Sequence, residues 1–416
     1  MRNSFSPKKP YRFQPWRAGK TLGPVVQVTP DDGFYVQTYF DVCAFSPSQR
    51  FLAATRVPFQ GRMPVLGDTA DVCLIDLEEQ TIQTVYTTRS WGFQTGANVN
   101  WGCTDRHLYT NDVIGEQSVC VQIDLETQEA KAFAGPLYGI APDESCVVGF
   151  PHELRDITQL GYGVPAKDPE NPLRLPPGAA KDEGIWRTDL RTNQKSLLAS
   201  LADVAAHVPA PPAEEGGTFY FWHSKFNKQG ERIMQVLRCL FGDKSRGVNP
   251  MVFTLNAEGG DIHYTPRTAR VPVWGSDGGH PNWHPDGVHV IRHLRPDDGP
   301  VRFCQCRYDG AEFTVLSEKI EGGGHPSVEP RGRYIVTDAH GLADGGQVVR
   351  IRLIDLVAQE EQDVCVVPTI HRAALANSVF RLDGHPAWSR DYKKVSFQAA
   401  PQGARQLFIA DLSKAI

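Results

Sequence analysis

The phrase Gly-His-Pro occurs three times in the second half of the chain, as Gly279-His280-Pro281, Gly324-His325-Pro326 and Gly384-His385-Pro386. A fourth histidine, His223, stands in Phe221-Trp222-His223-Ser224, at the corresponding place but without the flanking Gly and Pro. Neutral imidazoles contributed by separate segments suit a divalent transition metal, three nitrogens leaving open positions for water or ligand. His280, His325 and His385 share the full phrase and form the expected metal set; His223 is left for another task. Asp277, Glu321 and Asp383 fall two to four residues ahead of these histidines. They are placed either to orient the rings as acceptors or to face solvent as turn residues. One Gly-His-Pro alone is an ordinary turn, but turn chemistry does not explain four histidines at one position of a repeat.

A second cluster of reactive types is Phe150-Pro151-His152-Glu153-Leu154-Arg155, followed by Gly161-Tyr162-Gly163 and preceded by Tyr138. A guanidinium held at a cleft grips a carboxylate through two parallel hydrogen bonds. Phenols supply a proton or, deprotonated, a base. The plainer readings are a solvated arginine and a tyrosine in a glycine-flanked loop.

The elements that must position these groups are strands. After each histidine phrase comes an apolar residue, a Pro/Asp/Gly turn and apolar alternation, as in Trp283-His284-Pro285-Asp286-Gly287-Val288-His289-Val290-Ile291. That grammar is strand, tight turn, strand. It recurs upstream at Phe221–Phe226, Asn98–Trp101, Tyr138–Asp143 and Val42–Ser48, which makes seven copies. A second strand pair follows most copies, for example Val72–Leu77, Cys120–Leu125 and Ile351–Leu356. Four strands per copy at spacings of roughly 40 to 60 residues predict the blades of a β-propeller. The expected fold is all-β, one seven-bladed domain over residues 1–416, with about residues 1–24 as an extension.

The copy before Leu412 lacks room for a fourth strand, and Val25-Val26-Gln27-Val28 has no copy of its own. The amino-terminal strand is therefore expected to close the last blade, removing an exposed edge. Residues 167–180 and 198–213 read as long loops over one face, with a helical turn. In this architecture the residue before each blade's first strand sits at a channel mouth. His223, His280, His325, His385 and Asn98, with Tyr138 close by, should converge there.

Composition sets limits. The formal net charge of −5 argues against a general nucleic-acid binder, which needs a basic surface. No apolar run is long enough to span a membrane, and the opening residues lack the apolar core of a secretory signal. With Met1 as the native start the expected location is cytoplasmic; a trimmed chain would be secreted. The nine cysteines, odd in number and scattered, read as small buried hydrophobes in a reducing compartment. Cys304-Gln305-Cys306 has neither the spacing of a zinc knuckle nor that of a redox pair.

The run Trp91-Gly92-Phe93-Gln94-Thr95-Gly96-Ala97-Asn98-Val99-Asn100-Trp101, then Tyr109-Thr110-Asn111-Asp112, Gly135-Pro136-Leu137-Tyr138 and Gly161-Tyr162-Gly163, together with the Gly-His-Pro copies, resembles the seven-bladed β-propeller polysaccharide lyases. These include the oligogalacturonate, ulvan and rhamnose-glucuronate lyases. The resemblance implies β-elimination on an acidic, uronate-containing oligosaccharide. The enzyme would neutralise the carboxylate, remove the C5 proton and help the C4 oxygen depart. It implies manganese at His280, His325 and His385, with calcium or zinc as other candidates. It further implies Arg155 on the carboxylate, His223 as base and Tyr138 as acid, with Asn98, Gln94, Tyr162 and His152 toward substrate. The family places a glutamine beside its metal histidines. None adjoins His325 or His385 in sequence, and Gln94 is the candidate by topology. TolB-like propellers share the repeat framework without lyase activity, so the alternative is a non-catalytic module that binds a protein or ligand. A third possibility, the propeller gate of a serine peptidase, lacks a Gly-x-Ser-x-Gly elbow.

Overall fold

The alternating runs pair as the repeat predicts, because each copy has apolar residues on both faces to bury and its neighbours in sequence are the nearest copies to bury them against. The computed structural model describes residues 5–164, 173–207, 217–241, 249–265, 278–296, 299–343, 346–370 and 378–416. It contains seven antiparallel sheets, which we number as blades 1 to 7. Blade 4 shows the pattern in full: Thr218–Phe226, Arg232–Leu240, Asn249–Asn256 and His263–Thr265, each hydrogen-bonded to the next.

Blade 7 is built from both ends of the chain. Ala387–Trp388, Lys394–Ala399 and Gln406–Asp411 form its inner three strands, and Val25–Gln27 adds the fourth, with Val25 opposite Ala410 and Gln27 opposite Phe408. The closure expected from the sequence is what the chain adopts. The extension ahead of it is also used. Gln14–Pro15 pairs with Val25–Gln27, and Lys9–Pro10 pairs with Thr81–Thr88 at the outer edge of blade 1. The amino-terminal segment thus straps both blades at the seam and covers edges that would otherwise be open to pairing.

The apolar faces meet between blades. Val349 and Ile351 of blade 6 pack with Phe397 and Phe408 of blade 7, and Val36 and Val72 of blade 1 pack with Trp101 and Val121 of blade 2. All nine cysteines are free, and seven of them are buried. No helix among the described residues is long and apolar enough to cross a membrane.

Three departures from regular blades build the functional end. In blade 1 the inner strand Phe34–Val36 is followed by an excursion before the chain rejoins the sheet at Phe45, and this carries Tyr39 and Phe40 into the channel. In blade 3, residues 150–183 intervene between Cys146–Gly149 and Gly184–Asp189, and the short turns His152–Leu154 and Arg155–Thr158 lie there. The inner strands of blades 4 and 5 are bulged, with register shifts between Trp222 and Ser224 and between Gly279 and Asn282. A bulge turns its extra residue toward the sheet's end and re-aims the side chain. The expected helical turn in the second long loop is Leu201–Ala205, which Ser200 and Asp203 close as a reciprocal N-terminal cap. Residues 167–172 and 208–213 of the two loops lie outside the described residues.

Candidate active site at the channel mouth

Four residues at the repeat position share an unusual backbone. Asn98, His223, His280 and His385 have φ of 54°, 69°, 51° and 46°. A non-glycine residue pays sterically for this left-handed region, so its recurrence at one blade position marks a retained geometry. Blade 6 shifts the feature by one residue: Gly324 takes φ of 67° in place of His325.

The imidazoles meet as the repeat requires. The ring centres of His280 and His325 are 4.1 Å apart, and those of His325 and His385 are 4.3 Å apart. Tyr39 joins the two sides of the cluster, with its ring centre 4.5 Å from that of His385 and stacked 5.3 Å from that of His223. Phe40 lies edge-on to His280 at 6.0 Å. A cleft of about 690 Å³ opens beside His280, His325, Asp338, His340, Arg381 and Asp383.

The ligand-type atoms fall into a tighter set than the sequence suggested. His325, Asp383 and His385 each bring one such atom within 4.8 Å of the others, and all three are buried. His325 Nδ1 donates to the Asp338 carboxylate at 2.8 and 3.0 Å, which fixes the tautomer with the lone pair on Nε2. His385 Nε2 and His280 Nδ1 are buried with no hydrogen-bond partner among the described residues. Burial, with His325 beside it, pushes His385 down to about 3, and burial holds His280 well below the usual imidazole range. Buried, neutral imidazole nitrogens without partners, next to a carboxylate, suit a divalent cation.

Of the three acids ahead of the histidines, Asp383 is engaged. It accepts from Arg381 Nε at 2.9 Å and pairs with His340 Nε2 at 2.8 Å. Burial opposes its ionisation, but His340 and Arg381 hold it well below the usual carboxylate range. Glu321 lines the cleft without bonding His325; that role belongs to Asp338. Asp277 lies outside the described residues. The glutamine beside a candidate metal histidine is Gln398, whose amide is 3.0 Å from His385 Nδ1. Gln94 instead donates to the carbonyls of Val379 and Arg381, each at 3.0 Å. Asn98 likewise serves the backbone, donating to the carbonyls of Leu137 at 3.0 Å and Tyr138 at 3.2 Å.

On the opposite side of the cluster the Tyr138 hydroxyl is hydrogen-bonded to His223 Nδ1. Burial raises the phenol well above its ordinary value and lowers His223 well below, so the pair is a neutral phenol and a neutral imidazole. The Arg155 guanidinium sits 5.3 Å from the Tyr138 ring centre and 5.3 Å from that of Trp222. Its side chain is 1% exposed and has no ion-pair partner among the described residues. It makes two long contacts, 3.4 Å to His152 Nδ1 and 3.4 Å to Thr95 Oγ1. His152 donates through Nε2 to the Leu137 carbonyl at 2.9 Å, so it backs Arg155 and does not project into the opening. The Tyr162 hydroxyl accepts from Arg381 at 2.9 Å.

Comparison with known proteins gives a likeness in shape alone. No protein-family profile and no curated protein matches the chain. Among solved structures, an oligogalacturonate lyase in complex with manganese superposes with a TM-score of 0.68 at 14% identity, covering 99% of this chain and 98% of that one. An oligogalacturonate lyase from Vibrio parahaemolyticus gives 0.67 at 14% identity, with the same coverage. The chain has the fold of these lyases. At that identity the likeness carries the propeller and its near-complete length, while activity must be argued from the site itself.

Tyr39, Phe40, Asp338, Arg381 and Gln398 entered the site unannounced. The signal for the first two lay just upstream of the first repeat copy, in Tyr35-Val36-Gln37-Thr38-Tyr39-Phe40-Asp41, whose two polar residues interrupt an aromatic strand. Asp338 had a clearer mark, a lone acid ending the apolar run Tyr334-Ile335-Val336-Thr337.

Proposed function

We propose that this protein is a lyase that cleaves uronate-containing oligosaccharides by β-elimination. The observation that carries the reading is Arg155, a buried guanidinium that forms no ion pair among the described residues, packed against the tyrosine whose hydroxyl is bonded to His223. A desolvated cation held only by two long contacts suits an anion, and a carboxylate matches its planar fork.

Elimination starts from the proton on C5, next to the uronate carboxylate. His223 removes it through Nε2, which requires its own hydrogen on Nδ1, donated to the phenolic oxygen of Tyr138. As the C5–H electrons form the C4=C5 bond, the C4–O bond breaks. Tyr138 gives its hydrogen to the departing oxygen and takes the Nδ1 hydrogen of His223. The pair ends neutral, and solvent exchange restores the starting tautomer. The raised phenol supports Tyr138 as acid and not base, and the lowered imidazole supports His223 as base. Arg155 binds the carboxylate and stabilises the charge that develops on it. His325, His385 and Asp383 would hold a divalent cation, with His280 beside them as the further ligand the repeat suggests, manganese being the first candidate. Such an ion would draw charge from the carboxylate and so acidify C5.

The test is absorbance of the new C4=C5 bond during incubation with a panel of uronate oligosaccharides. A rise is expected with at least one substrate, abolished in His223→Ala and reduced roughly 10²- to 10⁴-fold in Tyr138→Phe. A flat trace across the whole panel, with added manganese, would remove the proposal.

A further inference from the structure

We propose that Arg238 receives a second anionic group of the ligand, next to the carboxylate assigned to Arg155. The proposal rests on the lyase reading for the chemistry of the ligand, and on its own geometry for the second charge.

Arg238 stands on a wall of the mouth. The first two strands of blade 4 stay paired beyond the bulge at His223, with Trp222 opposite Val236 and Tyr220 opposite Arg238. Its guanidinium lies 4.6 Å from the Trp222 ring centre, the same indole that Arg155 approaches at 5.3 Å. Two guanidiniums therefore share one aromatic platform beside the Tyr138–His223 pair.

Neither forms an ion pair among the described residues. Arg238 donates to Gln159 Oε1 at 3.3 Å, and among the described residues no carboxylate forms an ion pair with it. Its Nε is buried without a partner. Burial pushes its pKa down to about 10, as expected for a desolvated cation without a counter-ion. The other arginines at this end are satisfied differently. Arg381 is paired with Asp383, and Arg405 donates to the carbonyls of Phe93, Phe380 and Arg381. The acids at the mouth are also committed, Asp338 to His325 and Asp383 to Arg381 and His340.

The Trp222 ring covers one side of Arg238 and Nε is buried, which leaves Nη2, and Nη1 on release of its long bond to Gln159, as the donors that a planar two-oxygen anion would take. A ligand with one carboxylate can serve Arg155 or Arg238. One with acids on adjacent units serves both.

The experiment compares a diuronide carrying two free carboxylates with the same compound methyl-esterified on the unit that is not cleaved. Affinities are measured by calorimetry in a His223→Ala background, so that ligand is not consumed. With Arg238 present the diacid should bind about 10- to 100-fold more tightly than the monoester. Arg238→Met, which keeps the aliphatic stem over Trp222, should erase that gap. Arg238→Lys, which keeps charge but not the fork, should retain part of it and guards against loss of folding in the Met variant. An equal gap in the Met variant, or none with Arg238 present, would overturn the assignment. Binding with the expected gap but no turnover by the native protein would uphold Arg238 and sink the lyase reading. Turnover without a gap would do the reverse, and no binding of either compound would remove both.

Discussion

The carboxylate of Asp338 in blade 6 accepts the backbone N–H of His385 in blade 7 at 3.0 Å. Its other oxygen accepts the backbone N–H of His325 at 2.9 Å, and the same side chain takes the His325 ring hydrogen. One acid thus sets the spacing of two imidazoles from different blades. Burial works against its charge, yet the neighbouring His325 holds it far below the usual carboxylate range. Asp338→Asn keeps the shape but offers one acceptor oxygen where two are used. We expect a loss of about 1–3 kcal/mol in stability, since a buried N–H is left unpaired. Divalent-cation affinity should fall about 10- to 100-fold, as when a partner that orients a ligating histidine is removed. Thermal unfolding and a manganese titration check both, and unchanged affinity would show that Asp338 does not position the histidines.

Arg155 sets stability against function. A buried guanidinium that forms no ion pair among the described residues is costly, and its own pKa is lowered chiefly by burial. Arg155→Met should therefore leave the unliganded protein as stable or raise its Tm by a few degrees, while cutting kcat/KM on a uronate substrate by at least about 10²-fold. A clear drop in Tm would mean that the guanidinium is a structural strut whose contacts to His152 and Thr95 outweigh its desolvation.

The legible part of this molecule was its periodicity. Gly-His-Pro and its degenerate copies marked the blade starts, and the missing fourth strand after Leu412 pointed to Val25–Gln27. What periodicity cannot carry is a residue whose role arises across strands. Asp338 and His385 are 47 residues apart, and Gln398 reaches His385 only because adjacent strands of blade 7 bring them together. Tyr39 escaped for another reason: it belongs to an irregular excursion, and a repeat search starts where regularity does. Gln94 shows the opposite case. It was the candidate glutamine by topology, and its amide is turned to the carbonyls of Val379 and Arg381.

The three Gly-His-Pro glycines are not equivalent. At Gly324, φ is 67° and a Cβ would collide with the carbonyl oxygen of Asp338. At Gly279 an added Cβ would meet only His293 Nε2, at 3.9 Å. Gly324→Ala should displace Asp338 and His325 together, costing about 2 kcal/mol or more and most of the activity. Gly279→Ala should be close to neutral in both. Parallel unfolding and turnover measurements decide the matter; equal effects would mean that the phrase recurs for a reason unrelated to packing.

Acid sensitivity should come from the buried imidazoles. His293 lies 5.3 Å from His280, ring centre to ring centre, and burial with the nearby His325 pushes it down to about 4. In the unfolded chain it would titrate near 6.5, so between those values the unfolded state binds more protons than the folded one. Stability is then fully present above about pH 6.5 and is lost progressively as pH falls toward 4, by up to a few kcal/mol from this group. His293→Phe should flatten the slope of unfolding free energy against pH over that window, measured by denaturant titration at a series of pH values. A slope unchanged by the substitution would assign the acid sensitivity to other groups and contradict the neutral state of this half-buried ring.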